Sequence, residues 1–263
     1  MSRLLTYILG CTLSLPSLAA ITETEISDNS AQFTISEGSK SVELTLSFDS
    51  VKNLDATSAG VDSYTFSLSD PNVVARLPEG VEPLADFPVM IVIEPPASEE
   101  LSFRGAADVM VYTRDIHFDN NYRVFKSHEG ETFQDLTAEH SEGSYRARLR
   151  TGNFSEWMVV RDNRDPKDVI ALKYQRLSDA ISSSKLGWLT TNRLLDQLNL
   201  SRLFWEQGNT LLAITTLDVV IGLIDSLAGS LISNVWHATS PLTNTAGDLL
   251  GASATLRFSL SQG

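Results

Sequence analysis

Only one of the 263 residues is cysteine, Cys11, and only four are histidine. A lone thiol excludes an internal disulfide and a thiolate metal site, so stability has to come from a packed core. The histidines, His117, His128, His140 and His237, include no pair at the i, i+4 spacing of a helical zinc site. The first three fall in loops or strand ends of an acidic region, where solvated surface positions are expected. No Gly-x-Ser-x-Gly elbow occurs, which leaves a serine hydrolase without support. Cations are scarce too. The chain has 20 Lys and Arg against 33 Asp and Glu, a net charge of −13, and such a surface repels the phosphates of nucleic acid and anionic lipid.

What the chain does have begins at its first residues. Arg3 precedes an apolar stretch from Leu4 to Leu15, then Pro16-Ser17-Leu18-Ala19-Ala20. A basic start, a short hydrophobic core and small residues before a polar stretch predict a secretory signal peptide over 1–20, cleaved after Ala20. The stretch is shorter than the roughly 20 residues of a membrane span, so cleavage rather than anchoring is expected. Lipidation at Cys11 is the competing reading. It would leave only Leu4 to Leu9 as the apolar region, below the roughly 7 to 15 residues such signals use. Cleavage at Ala20 removes the only thiol and predicts an exported protein, periplasmic or extracellular.

Charge and period both change near the middle. From Ile21 to Asp165 there are 26 acids against 12 Lys and Arg, a net of −14; from Pro166 to Gly263 there are 7 of each. The acidic part reads as strands. Val42-Leu44-Leu46-Phe48 and Tyr64-Phe66-Leu68 alternate with polar residues, the period of two that places one face in a core. Val89-Met90-Ile91-Val92-Ile93 lacks alternation and predicts a central strand. Further strands are predicted at Leu101–Phe103, Val109–Thr113, Tyr122–Phe125, Tyr145–Leu149 and Glu156–Val160. Past the Asp162–Pro166 linker, Ile170, Tyr174, Leu177 and Ile181 recur at helical spacing. A second helix is predicted from Thr190 or Thr191 to Gln207, and a third along Ile214, Leu217, Ile221, Ile224, Ala228 and Leu231. Asp218 and Asp225 in that apolar seam would each cost about 2.5–3.5 kcal/mol at a bilayer centre, which favours a buried bundle helix over a membrane span. The seam is also too short for the roughly three to four heptads of a firm coiled coil. Ala246–Leu260 starts like a helix, whereas Thr255–Leu260 alternates like a strand. The expectation is an α+β protein: an antiparallel β-sandwich over 21–162 followed by a helical bundle over 163–263.

Each candidate site residue also has an ordinary packing role open to it. Glu99, Glu100, Glu129 and Glu131 offer paired carboxylates of the kind that cleave polysaccharide, yet among 26 acids such pairs are unavoidable. Asp115, Asp119, Asn120 and Asn121, like Asp162, Asp165 and Asp168, supply hard oxygen ligands without the calcium-loop pattern and read as polar turns. Tyr122, Phe125, Phe133, Tyr145, Phe154 and Trp157 are expected in the core, with Tyr145, Ala147 and Leu149 on one strand face and Arg146, Arg148 and Arg150 on the other. Those arginines suit neighbouring carboxylates or an anionic ligand. Trp188, Trp205 and Trp236 read as packing anchors, and the sequons at Asn153 and Asn199 would carry little weight if the source were bacterial. No catalytic residue, metal ligand or cofactor site is assigned. The expected function is non-catalytic binding of a protein or glycan partner or a structural role, with an envelope enzyme acting on polysaccharide as the alternative.

Several stretches resemble an uncharacterised family of secreted bacterial proteins: Asp86–Pro96, Leu101-Ser102-Phe103-Arg104-Gly105, Gly143–Arg148, Gly152–Trp157, Asn234–Ala238 and Thr255–Leu260. The likeness spans most of the chain after Ala20 and brings no activity with it. The strand-rich part is also similar, more weakly, to ZU5-type sandwich modules through Pro88-Val89 and Phe154-Ser155. That similarity implies protein contacts by fold analogy alone.

Overall fold

A computed structural model describes residues 20–128, 130–240 and 243–263. The predicted signal segment and Cys11 lie outside them, except that Ala20 opens the first strand. The strands are β1 (Ala20–Ser27), β2 (Ser30–Glu37), β3 (Lys40–Lys52), β4 (Val61–Thr65), β5 (Val81–Pro83), β6 (Val89–Ile93), β7 (Ser102–Tyr112), β8 (Tyr122–Ser127), β9 (Gln134–Asp135), β10 (Thr137–His140), β11 (Arg146–Thr151), β12 (Glu156–Asp162) and β13 (Val235–His237). The helices are the single turn α1 (Pro71–Val74), then α2 (Pro166–Ser183), α3 (Trp188–Glu206), α4 (Thr210–Leu227) and α5 (Thr245–Gln262). The chain is α+β, with antiparallel sheets in its N-terminal part and helices in its C-terminal part.

The first sheet runs β1-β2-β3-β7-β11-β10 and the second β4-β6-β12-β8-β9, with β5 beside β12. Alternation sets the register. Ala31, Phe33 and Ile35 of β2 stand opposite Leu46, Leu44 and Val42 of β3, all turned to the same side and buried. They share one apolar core with Phe103 and Val109 of the first sheet and with Ile91, Trp157 and Val159 of the second. Met90, Phe125, Met158 and Val160 point from the opposite face of the second sheet into another core with Phe66, Val73 and Phe133. Both faces of β6 are therefore covered, which accounts for the unbroken apolar run Val89–Ile93. Two strand expectations need correction. Leu101–Phe103 and Val109–Thr113 belong to one strand, β7, paired along its length with β3. The Tyr64–Leu68 strand stops at Thr65, and Leu68 is exposed because the Ser67–Asp70 turn leads into α1.

Asp165 caps α2 by accepting from the Lys167 amide, and Pro166 takes the first helical position. Ile170, Tyr174, Leu177 and Ile181 are buried as their spacing predicts. In α4 the buried stripe is Ala213, Leu217, Val220 and Ile224, not the full predicted seam. The helix packs on both α3 and α5, which turns Ile214 and Ile221 to its margins, and it ends at Leu227, leaving Leu231 exposed. Among the described residues α4 alone is long and apolar enough to cross a membrane by length and composition. The terminal segment is helical throughout. Its Leu256 and Leu260 face the other helices while Thr255 and Ser259 face a buried lysine, so enclosure on both sides produces the alternation that reads as a strand. Packing crosses the change of period at Asp162. β13 pairs with Ser102–Arg104 of β7, Trp236 stacks on Phe103 at 5.4 Å, and α5 lies against β7, β10 and β11.

Candidate functional site

The outer face of the first sheet is built by three aligned strands. Glu43 of β3, Tyr112 of β7 and Arg146 of β11 form one cross-strand row; Thr45, Met110 and Arg148 form the next; Ser47, Asp108 and Arg150 form the third. Arg148 pairs with Glu139 at 3.4 Å and Arg150 with Asp108 at 3.5 Å. Burial raises the Asp108 carboxyl above its ordinary range, opposed by Arg150. The first row is different. Arg146 and Arg114 lie 5.0 and 5.9 Å from the centre of the Tyr112 ring, and Arg114 donates to the Tyr112 hydroxyl at 2.6 Å. Among the described residues neither guanidinium has a carboxylate within 4.0 Å.

Tyr145 completes this row and overturns an expectation. It is 37% exposed, not core, because the Ser141–Ser144 turn delays the strand until Arg146, so the alternation that buries Ala147 and Leu149 does not reach back to it. Its ring lies 4.3 Å from that of His117 and edge-on to Tyr112 at 6.4 Å. Two tyrosines, an imidazole and two guanidiniums without carboxylate partners within 4.0 Å thus share one surface, and the next cross-strand row, Thr45, Met110 and Arg148, lines a groove of about 420 Å³. Such a surface can stack on a ring and hold an anion beside it.

The other predicted residues scatter. Phe125, Phe133, Phe154 and Trp157 are buried, and Tyr122 partly so. Asp115 accepts from the Ser41 amide at 2.7 Å, Asn120 donates to Glu142, Asn121 donates to Asn163, and Asp162 takes a two-pronged bond from Arg164. Glu99 and Glu100 are exposed in a short turn, whereas Glu129 lies outside the described residues. No cluster of three or more His, Cys, Asp or Glu able to hold a metal occurs among the described residues. His140, expected in solvent, is buried; it accepts from Arg123 at 2.9 Å and packs on Phe258 of α5, a neighbour far off in sequence. Trp188, expected as an anchor, is 77% exposed at the first turn of α3, while Trp205 packs on Tyr174 at 5.7 Å.

Sequence reasoning passed over the seam between α5 and the sheets. Gly152, Gly247 and Gly251 let the helix touch β11: a Cβ on Gly251 would lie 2.4 Å from the Arg150 carbonyl, and one on Gly247 2.6 Å from the Gly152 Cα. Asn244 caps α5 and also donates to the Gly105 and Gly152 carbonyls at 2.6 and 3.1 Å. Two buried lysines flank this contact. Lys173 of α2 pairs with Asp135 of β9 at 2.5 Å and donates to Thr255 and Ser259. Lys126 of β8 donates to Thr151 at 2.8 Å, to the Asn153 carbonyl at 2.7 Å and to the Asn153 side chain. A glycine pattern at helical spacing, Gly247 and Gly251, was the one signal for this contact.

Fold and surface together define an α+β protein of two antiparallel sheets with a cationic and aromatic outer face. Residues 7–262 match the model of a family of unknown function (DUF6689), and the chain belongs to that family. No curated protein matches it.

Proposed function

We propose that the protein is an exported, non-catalytic module whose Tyr112, Tyr145, Arg114 and Arg146 surface binds an acidic glycan. The observation that carries this reading is the pair of guanidiniums left without carboxylates in a chain of net charge −13. On the same face Arg148 and Arg150 each hold an acid, at 3.4 and 3.5 Å. Glu43 of the same row stays beyond ion-pair distance of both arginines, and an anionic sugar supplies a carboxylate in contact with them and a ring for Tyr145. In this reading the two sheets make a β-sandwich that carries the surface and the helices make a bundle that braces it. Export follows from the segment 1–20, with cleavage after Ala20, and suits a periplasmic or cell-surface bacterial protein. A role in protein contacts like that of ZU5-type modules is the fold-level alternative.

Titration calorimetry of the purified protein with polygalacturonate tests the proposal, with a neutral glucan as control. Binding to the acidic polymer that falls at least about tenfold in Tyr145→Ala and in Arg146→Ala supports it. Equal binding of both polymers, or none of either, overturns it. Release of new reducing ends would support instead the polysaccharide-cleaving enzyme acting through paired carboxylates.

A further inference from the structure

A second concavity lies away from the sugar-binding surface proposed above, where β8 and β12 meet the first turn of α2 and the last turn of α5. It encloses about 540 Å³, and Asn121, Arg123, Asn163, Arg164, Ser259 and Gln262 line it. Small-molecule sites run from about 300 to 1,000 Å³. Its rim is tied down: the Asp162 amide donates to the Asn121 carbonyl at 2.8 Å, and the Asn121 side chain donates to that of Asn163 at 3.2 Å. The wall holds donors with nothing to donate to. Arg123 lies 5.2 Å from the centre of the Phe258 ring, spends its Nη1 on the Asn120 and Tyr122 carbonyls and on His140, and turns its Nε toward Asp135 at 4.0 Å. Arg164 spends Nε and Nη2 on the two oxygens of Asp162, the one acid of the wall among the described residues. The Arg123 Nη2, the Arg164 Nη1 and the Asn163 amide nitrogen have no acceptor among the described residues. Ser259 accepts from Lys173 and keeps its own hydroxyl proton. With Lys173 and Asp135 directly behind the wall, three cations meet two carboxylates here, in a chain whose acids outnumber its Lys and Arg 33 to 20.

We propose that this cavity binds a small phosphate ester. A ligand for unspent donors has to bring acceptors, and a wall with a cation to spare favours anionic ones. The donors come from β8, from the segment before α2 and from α5, not from one arginine fork. The splayed oxygens of a phosphate reach donors on several walls at once, whereas the two oxygens of a carboxylate lie in one plane and suit a single fork. Pro166 and Val169 give the ester's carbon skeleton an apolar flank. Arg123 is already fixed by the Phe258 ring and its three Nη1 acceptors, so binding does not have to order it.

Titration calorimetry of the full chain with glucose 6-phosphate tests the proposal, with glucose, inorganic phosphate and citrate as comparisons. Glucose 6-phosphate is expected to bind, inorganic phosphate to bind more weakly, and glucose not at all. Asn163→Asp keeps the oxygen that Asn121 holds and puts a like charge on the rim, so it should weaken binding at least about tenfold with the thermal melt retained. Arg123→Gln should weaken it as far. Because that arginine also faces Asp135, the exposed rim variant Gln262→Glu repeats the test without touching the core. No heat from glucose 6-phosphate, citrate binding as tightly as the phosphate ester, or binding that survives both Asn163→Asp and Gln262→Glu would overturn the proposal.

Discussion

Lys126 and Lys173 are both buried where α5 meets the sheets, yet the protein holds them by opposite means. Around Lys173 the chain supplies Asp135, with Thr255 and Ser259 completing the hydrogen bonds and Arg123 lying 4.0 Å from the same carboxylate. Burial pushes the Asp135 carboxyl up, but Lys173 and Arg123 outweigh it and hold the carboxyl below its ordinary range. Around Lys126 it supplies the Thr151 hydroxyl, the two oxygens of Asn153 and the Trp157 ring, whose centre lies 5.5 Å from the lysine nitrogen. One lysine ties α2, α5 and β9 together as an ion pair. The other meets its counter-charge, Asp248, only through the Asn153 amide. Equal burial is thus met by a direct ion pair at one end of α5 and by neutral acceptors near the other.

The largest expected effect tests whether the joint matters at all. Expressing residues 21–162 alone deletes Lys173, β13 and α5 and takes from Asp135 its closest counter-charge. The fragment is expected to lose its cooperative melt by circular dichroism; a cooperative β melt would show that residues 21–162 fold as a separable domain. Next, Lys173→Met should cost about 3–5 kcal/mol in chemical denaturation, the range for stranding one partner of a buried pair, and adding Asp135→Asn should return most of it. Gly251→Leu should cost several kcal/mol, because even a Cβ meets the Arg150 carbonyl at 2.4 Å.

Lys126→Met sharpens the contrast, with an expected cost of about 1 kcal/mol or less at pH 7, since the lysine's desolvation is removed with it. Its clearer signature is in pH. The folded-state value near 7 lies below the unfolded one near 10.4, so between these values the unfolded chain binds more protons and stability rises with pH. Urea denaturation from pH 7 to 10 should show that rise in the native protein and a flatter profile in Lys126→Met. The smallest effect belongs to the surface: Tyr145→Ala should change stability by no more than about 0.5 kcal/mol while abolishing glycan binding.

Much of the fold was legible because it rests on local period. The alternation of Val42–Phe48 and the unbroken run Val89–Ile93 record which faces are covered, and Ile170–Ile181 records one buried helix stripe. The failures share a cause. Tyr145 and Leu68 sit where a turn interrupts the alternation, and the α4 stripe is rotated because two helices rather than one press on it. The three arginines of β11 were visible as a face, but which of them lacked an acid depended on Glu139 and Asp108 from other strands.

The amino-acid sequence by itself determined the elements: strands before Asp162, helices after Pro166, an acidic first part and a neutral second, because periodicity and charge are properties of neighbouring residues. Only the tertiary structure decided that α5 is helical to its end and lies on the sheet, that β13 joins β7, and that Lys126 and Lys173 meet different partners. Lys173 and Asp135 are separated by 38 residues and Asn153 and Asp248 by 95. No local pattern constrains such pairs; the close approach that Gly152, Gly247 and Gly251 permit brings Asp248 to Asn153 and Lys126.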